Sequence, residues 1–146
     1  MFVLNGPNLN LLGRRDRTIY GTATLADVER LCRDEAARLG LTIDFRQSNH
    51  EGVLIDWVHE AIDLAAPLVG NFGAYTHTSI AIMDALANLQ APVIEVHISD
   101  IHAREEFRHT SYVSLVATDT VIGQGVAGYA VALQRVAELW DRAPRD

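Results

Sequence analysis

The sequence predicts an α/β fold in which a five-stranded parallel sheet is doubly wound by helices. Three observations predict it. Short apolar runs alternate with amphipathic helical stretches in the order βαβαβαβαβα, the pattern of a parallel sheet covered on both faces. The 146 residues suit one domain, residues 1–146, with no linker, internal repeat or low-complexity segment. Hydrophobic residues make up 49% and charged residues 21%, which is enough apolar surface to bury a core and enough charge to stay globular in water.

Each element follows from local chemistry. Phe2, Val3 and Leu4 form an apolar run ahead of the turn formers Asn5, Gly6, Pro7 and Asn8. A strand over 2–4 therefore gives way to a loop that continues to about Gly21. Thr24 stands as an N-cap with Asp27 in the first turn, and Leu25, Val28, Leu31, Cys32, Ala36 and Leu39 keep helical spacing. Gly40 occupies the position of a helix C-terminal glycine. Alternation predicts a second strand over 41–45. The stripe Val53, Leu54, Trp57, Val58, Ala61, Ile62 and Ala65 predicts a helix over 50–64. Residues 67–70 read as the third strand, 71–79 as a loop, 80–89 as a helix and 92–97 as the fourth strand. A loop with a short helical stretch is expected over 99–108, the fifth strand over 112–116 and a last helix over about 125–140, fraying from Asp141. Right-handed crossovers at this length make a flavodoxin-like three-layer sandwich the natural topology.

Composition excludes several functions. Twelve basic residues against nineteen acidic ones leave a net charge of −7, the wrong sign for a general nucleic-acid binder. No apolar run approaches the ~20 residues of a membrane span. Residues 1–5 carry no basic segment ahead of a leader core, and the single Cys32 can form neither an internal disulfide nor a cysteine metal cluster, so a cytoplasmic setting is expected. All twelve basic residues are arginines. A lysine-free chain has no lysine Schiff base, no pyridoxal-phosphate linkage and no P-loop lysine.

Several patterns have ordinary explanations. Gly123, Gly125 and Gly128 match G-x-G-x-x-G, but no further strand follows to supply a ribose-binding acid, so a tight turn with close helix–sheet packing is expected instead of a dinucleotide site. His50 and His59 lack a second histidine at metal-motif spacing, and His97 and His102 with Asp100 between them form no strong ligand pattern; no metal site is expected. His109 reads equally as packed or surface. Trp57 and Trp140 lie on apolar helical faces. Arg30, Arg33 and Arg38 share a helix with acidic neighbours and are expected to pair with them.

Chemistry concentrates where the strands end, which is where ligands bind in such sheets. Asn8, Arg15 and Tyr20 follow the first strand; Asn71, Gly73 and His77 follow the third; Glu95, His97 and Ser99 end the fourth, with Arg108 beyond. Asn8 and Asn71 read as turn formers or as functional groups. Arg14, Arg15 and Arg17 are either a solvated face or an anion clamp beside Tyr20. A phenol titrates near ~10, so acting as a base near pH 7 takes a shift of ~3 units, about 4 kcal/mol. One guanidinium ~4 Å away supplies about 4 kcal/mol at an effective dielectric of 20. Glu95 and His97 share a strand face, so the carboxylate can orient the imidazole or hold it protonated, which makes His97 a general-acid candidate. A high-pKa base with a histidine acid suggests proton abstraction beside a carbonyl with loss of a leaving group. Without lysine, the carbon acid ionises to an enolate, stabilised by asparagine or backbone N–H groups. The arginines suit a small anionic substrate.

These residues lie in longer motifs. The run 4–13 (LNGPNLNLLG) with Arg14, Arg15, Tyr20 and Gly21, the run 71–79 with Gly73 and His77, and the runs 94–99 and 102–108 resemble type II 3-dehydroquinate dehydratase across nearly the whole chain. Residues 123–133 match that family's glycine-rich entry into its last helix. The resemblance implies cofactor-free dehydration of 3-dehydroquinate to 3-dehydroshikimate, in shikimate biosynthesis or quinate breakdown. It implies Tyr20 as the base, Arg15 as its activator, Asn8 as holder of the water that stabilises the enolate, and His97, supported by Glu95, as the acid. It implies substrate binding by Asn71, Gly73, His77, Ile98, Ser99 and Arg108, with Asp84 supplied by a neighbouring subunit in a dodecamer built from trimers. Residues 13–21 would form a lid. Departures from the family pattern stand at Asp16 and Arg17, Phe72, Met83, Asn88 and Leu115, and they bear on lid stiffness and trimer contacts. A receiver domain or a flavin carrier is the competing reading; the absent lysine and Asn5 disfavour the first, and the hydroxyl-poor loop after the first strand disfavours the second.

Overall fold

Five short strands hydrogen-bond in parallel in the order β2-β1-β3-β4-β5. They are β1 (Phe2–Asn5), β2 (Asp44–Gln47), β3 (Leu68–Asn71), β4 (Val93–His97) and β5 (Asp119–Ile122). Helices α1 (Arg17–Tyr20), α2 (Leu25–Arg38), α3 (Glu51–Asp63) and α4 (Ile80–Leu86) lie in the connections between β1 and β4, 3-10 turns join β4 to β5, and α5 (Gly128–Arg142) follows β5. The computed structural model describes residues 1–142. The strand order is the doubly wound one that the sequence predicts.

Alternation along β1 splits the core into two layers. Phe2 and Leu4 face one side with Leu54, Val58 and Ile82 of α3 and α4. Val3 faces the other side with Val28 and Cys32 of α2 and Tyr129, Leu133 and Val136 of α5. Trp57 and Trp140 pack against the first cluster, as their helical faces predict. Thr24 and Asp27 close a capping box on α2, and Gly40, at φ 70°, ends it. Arg30, Arg33 and Arg38 pair with Asp27, Glu29 and Glu35 on its surface.

Several boundaries differ from the sequence reading. The second strand begins at Asp44, not 41, because residues past Gly40 still close the helix: Leu41 N–H reaches Ala36 O at 2.8 Å and Gly40 N–H reaches Ala37 O at 3.1 Å, a Schellman motif. The predicted loop after β1 contains the one-turn α1, started by Asp16, whose carboxylate accepts the Thr18 N–H at 2.9 Å. The predicted fifth strand over 112–116 is instead a 3-10 turn, Val113–Leu115, and the strand is Asp119–Ile122. The run looks apolar enough for a strand, but Ser111 Oγ accepts the Ser114 N–H at 3.1 Å and turns the chain. Val113 is then buried while Leu115 is 73% exposed. Strand pairing resumes where Thr118 N–H donates to Val93 O at 2.8 Å. Helix α4 stops at Leu86, short of 89, and α5 follows a 3-10 turn, Gly125–Ala127. Helix α5 continues through Asp141 to Arg142, and the rest of the expected frayed tail lies outside the described residues.

The glycine-rich turn is packing, as predicted. A Cβ on Gly128 would lie 3.2 Å from Val121 Cγ1, and Gly123, at φ 75°, lies against Asp100. Phe72 is also internal: its ring fills the space beside Gly70, where a Cβ would come within 2.4 Å. That departure from the family pattern is absorbed inside the chain and does not reach its surface.

One buried phenol ties both functional strands to α5. Tyr129 Oη donates to Asn5 Oδ1 at 2.7 Å and accepts from Asn71 Nδ2 at 3.0 Å. These asparagines are register partners at the carboxyl ends of β1 and β3. Burial pushes the Tyr129 phenol above its usual range, so it stays neutral and donates. Tyr129→Phe strands two buried amide atoms and is expected to cost about 2–4 kcal/mol in urea unfolding; a loss below about 0.5 kcal/mol would show that the bridge contributes little.

Candidate active site

The carboxyl ends of β1, β3 and β4 surround one cavity of about 120 Å³. It sits beside the point where strand order reverses, between β1 and β3, the usual ligand position in this architecture. Asn8, Arg15, Tyr20, Asn71, Gly73, His77, His97, Ile98, Ser99 and Arg108 all line it. Ten of the twelve site residues read from the sequence therefore meet at one place. Glu95 stands behind His97, out of the cavity and fully buried. Asp84 is exposed on α4 and does not line its own chain's cavity.

Tyr20 is the last residue of α1, which Gly21 ends at φ 73°. Its hydroxyl accepts from Arg15 Nη2 at 3.0 Å and from Arg104 Nη1 at 2.8 Å. The Arg15 guanidinium also lies 3.9 Å from the ring centroid. Arg104 is a cavity residue that the sequence reading missed, although it stands in the 102–108 run. Glu105 holds the rim together by pairing with Arg104 at 3.4 Å and with Arg108 at 3.0 Å. Three guanidiniums thus face a space the size of a small molecule, a setting for an anion.

His97 closes the cavity from β4. Its Nε2–H donates to Glu95 Oε1 at 2.6 Å, which leaves Nδ1 as the nitrogen able to exchange a proton. Burial raises the Glu95 carboxyl, but bonds from His97, Ser111 and Ser114 outweigh it and bring it down to about 2. The His77 ring stacks on His97 at 6.4 Å. Burial lowers the His77 pKa, with the charges of His97 and Arg108 adding to the effect, and its Nδ1–H is held by Thr110 O at 2.7 Å. His77 is thus a ring fixed in place and biased toward its neutral form.

Asn8 adopts φ 67° and ψ 0°, a left-handed conformation unusual outside glycine, and its N–H is held by Asn49 Oδ1 at 3.0 Å. The side chain is left to the cavity mouth. Asn71 accepts the Gly73 N–H at 3.2 Å on Oδ1 and gives Nδ2 to Tyr129, so it is both scaffold and lining. Gly73, at φ 56°, passes against Pro7, where a Cβ would meet the carbonyl oxygen at 3.0 Å. Ile98 and Ser99 follow β4, and Ile98 O is anchored by the Gly125 N–H at 3.0 Å. Among the described residues, no group of three or more His, Cys, Asp and Glu could hold a metal ion, and no helix is long and apolar enough to cross a membrane.

Comparison with known proteins is consistent across sequence and structure. A family model described as dehydroquinase class II matches residues 1–137. A Streptomyces avermitilis protein named 3-dehydroquinate dehydratase is 58% identical over 147 residues, covering 100% of this chain and 92% of the relative. One of the same name from Methylobacterium radiotolerans is 58% identical over 139 residues, covering 95% and 93%. The crystal structure of type II dehydroquinase from Propionibacterium acnes superposes with a TM-score of 0.92 at 48% identity, covering 94% of this chain and 95% of that one.

The depressed Glu95 carboxyl carries a stability signature. A folded-state pKa below the unfolded value of 4.5 gives stability that is full above 4.5 and lost as pH falls toward about 2. The wild type is expected to lose about 3 kcal/mol more than Glu95→Gln between about pH 5 and pH 2 in urea unfolding. Parallel pH slopes for the two proteins would contradict the assignment.

Proposed function

The chain belongs to the class II dehydroquinase family, and we propose that it removes water from 3-dehydroquinate to give 3-dehydroshikimate through an enolate. The observation that carries the reading is the Tyr20 hydroxyl clamped by two guanidiniums, across one cavity from His97, whose Nε2 is taken by Glu95 and whose Nδ1 is not.

In this reading the Tyr20 phenolate takes the C2 proton. Arg15 and Arg104 stabilise the phenolate by charge, and their hydrogen bonds hold its oxygen in place. The electron pair left at C2 spreads onto the adjacent carbonyl oxygen, which becomes the enolate oxygen. Asn8 holds the water that donates to it. As the enolate collapses, the C1 hydroxyl departs and takes a proton from His97 Nδ1, so one water leaves. Tyr20 ends protonated and His97 ends short of one proton, and exchange with solvent resets both.

Arg108, His77, Asn71, Gly73 and the backbone of Ile98 and Ser99 bind the substrate's carboxylate and hydroxyls. The residues 13–21 segment acts as the lid, since it carries both Arg15 and Tyr20. Asp84 completes the site of a neighbouring subunit in a trimer-based dodecamer, a role that its exposed position on α4 allows. The chain contains no lysine, so a lysine Schiff-base route to the same product is closed to it.

Turnover is followed by the ultraviolet absorbance of the conjugated enone product. Tyr20→Phe is expected to lower kcat about a thousandfold with KM little changed. Arg104→Ala is expected to lower kcat about a hundredfold. Tyr20→Phe turning over at a near-wild-type rate would remove it as the base.

A further inference from the structure

Around Glu95 stand three hydroxyls that the reaction described above does not use. Glu95 Oε1 accepts from Thr76 Oγ1 at 2.8 Å and from Ser111 Oγ at 2.5 Å, besides His97 Nε2. Its Oε2 accepts from Ser114 Oγ. Thr76 and Ser111 are buried, and their hydroxyls lie 2.9 Å apart. The cage joins two stretches of chain that Tyr112 N–H binds together by donating to Thr76 O at 2.9 Å. The same stretch holds the other histidine, through Thr110 O on His77 Nδ1.

A carboxylate offers about four acceptor positions. Four donors reach Glu95, three on Oε1 and one on Oε2, and they fix the carboxylate from both of its oxygens. A buried carboxyl without such donors takes up a proton. Neutral, it would have no charge with which to hold an imidazolium. The groups facing Glu95 are few: His97 on its own strand, His77 stacked on His97, and Arg108 acting on His77. Its register partners on β3 and β5 are Gly70 and Thr120, which carry no charge.

We propose that Thr76, Ser111 and Ser114 are positioning residues of this reaction, whose hydroxyls hold Glu95 as a fixed anion behind His97 and so keep His97 able to deliver its proton. The proposal rests on the assignment of His97 as the acid. It also gives a use to the segment that looks like a strand in sequence: its Ser114, with Ser111 just before it, turns inward to reach the carboxylate.

The test is the pH dependence of kcat/KM for 3-dehydroquinate. Thr76→Val keeps the shape and removes the hydroxyl; Thr76→Ser keeps the hydroxyl. Removing a donor destabilises the anion relative to the acid, so the acid limb moves upward in pH. Thr76→Val and Ser114→Ala are each expected to move it upward by about one unit, lowering activity roughly tenfold well down the acid limb and leaving it unchanged near about pH 8. Thr76→Ser is expected to restore the wild-type limb. A purely structural role would lower thermal stability and leave the limb in place. Ser114 is half-buried, so Ser114→Ala carries the test if Thr76→Val does not fold. Glu95→Gln separates the two ideas. If it is inactive while both hydroxyl variants keep the wild-type limb, the cage proposal fails and the acid assignment stands. If Glu95→Gln keeps the wild-type profile, the assignment beneath the proposal fails.

Discussion

A carboxylate shut away from water at the end of a central strand governs much of this structure. Glu95 is 0% exposed, and an ion in that position is strongly unfavourable unless every lone pair is met. Meeting them requires the 3-10 turn Gly73–His77 on one side and the stretch from Ser111 to Ser114 on the other. The first of these stretches lines the cavity through Gly73, Ala74 and His77, and Thr110 O, just before the second, holds His77 beside His97. The fifth strand is displaced to Asp119–Ile122 because the residues before it are spent on Glu95. One buried charge thus sets the connection between β4 and β5, the orientation of His97 and which of its ring nitrogens is left free.

The Tyr20 side of the cavity is assembled on a different principle. Tyr20 rides on a helix of one turn, and its two arginines come from far-separated stretches, Arg15 just before it and Arg104 after β4. A phenolate gains about 4 kcal/mol from each cation ~4 Å away at an effective dielectric of 20. That gain exists when the 13–21 segment lies against the 3-10 turn Ile101–Ala103 and the residues beyond it. His97 is buried, whereas Tyr20 is only half-buried on its short helix.

How legible this was in the sequence depended on the range of the interaction. The capping box of Thr24 and Asp27, the glycine at 40 and the surface pairs of α2 are local, and each was readable from neighbouring residues. The site residues that end strands were readable too, because strand ends converge in a doubly wound sheet. Arg104 was not, since its partner Tyr20 lies 84 residues away and nothing nearby distinguishes it from a surface arginine. The run 112–116 carried the composition of a strand; its Ser114 and the preceding Ser111 bond a carboxylate on another element, a fact absent from local pattern. Asn5, read as a disfavouring mark against a receiver domain, proved to be one end of a buried bridge through Tyr129 to Asn71. The long motifs identified the family sooner than any of these contacts, but they did not say which group holds which.

The central claim is that a lysine-free cavity dehydrates 3-dehydroquinate through an enolate. The direct measurement is turnover of 3-dehydroquinate by the purified protein, with and without prior borohydride treatment in the presence of substrate. The account predicts growth of the enone absorbance at the same rate in both samples, since there is no imine for borohydride to reduce. A folded protein that gives no enone, or one that borohydride inactivates, would contradict it.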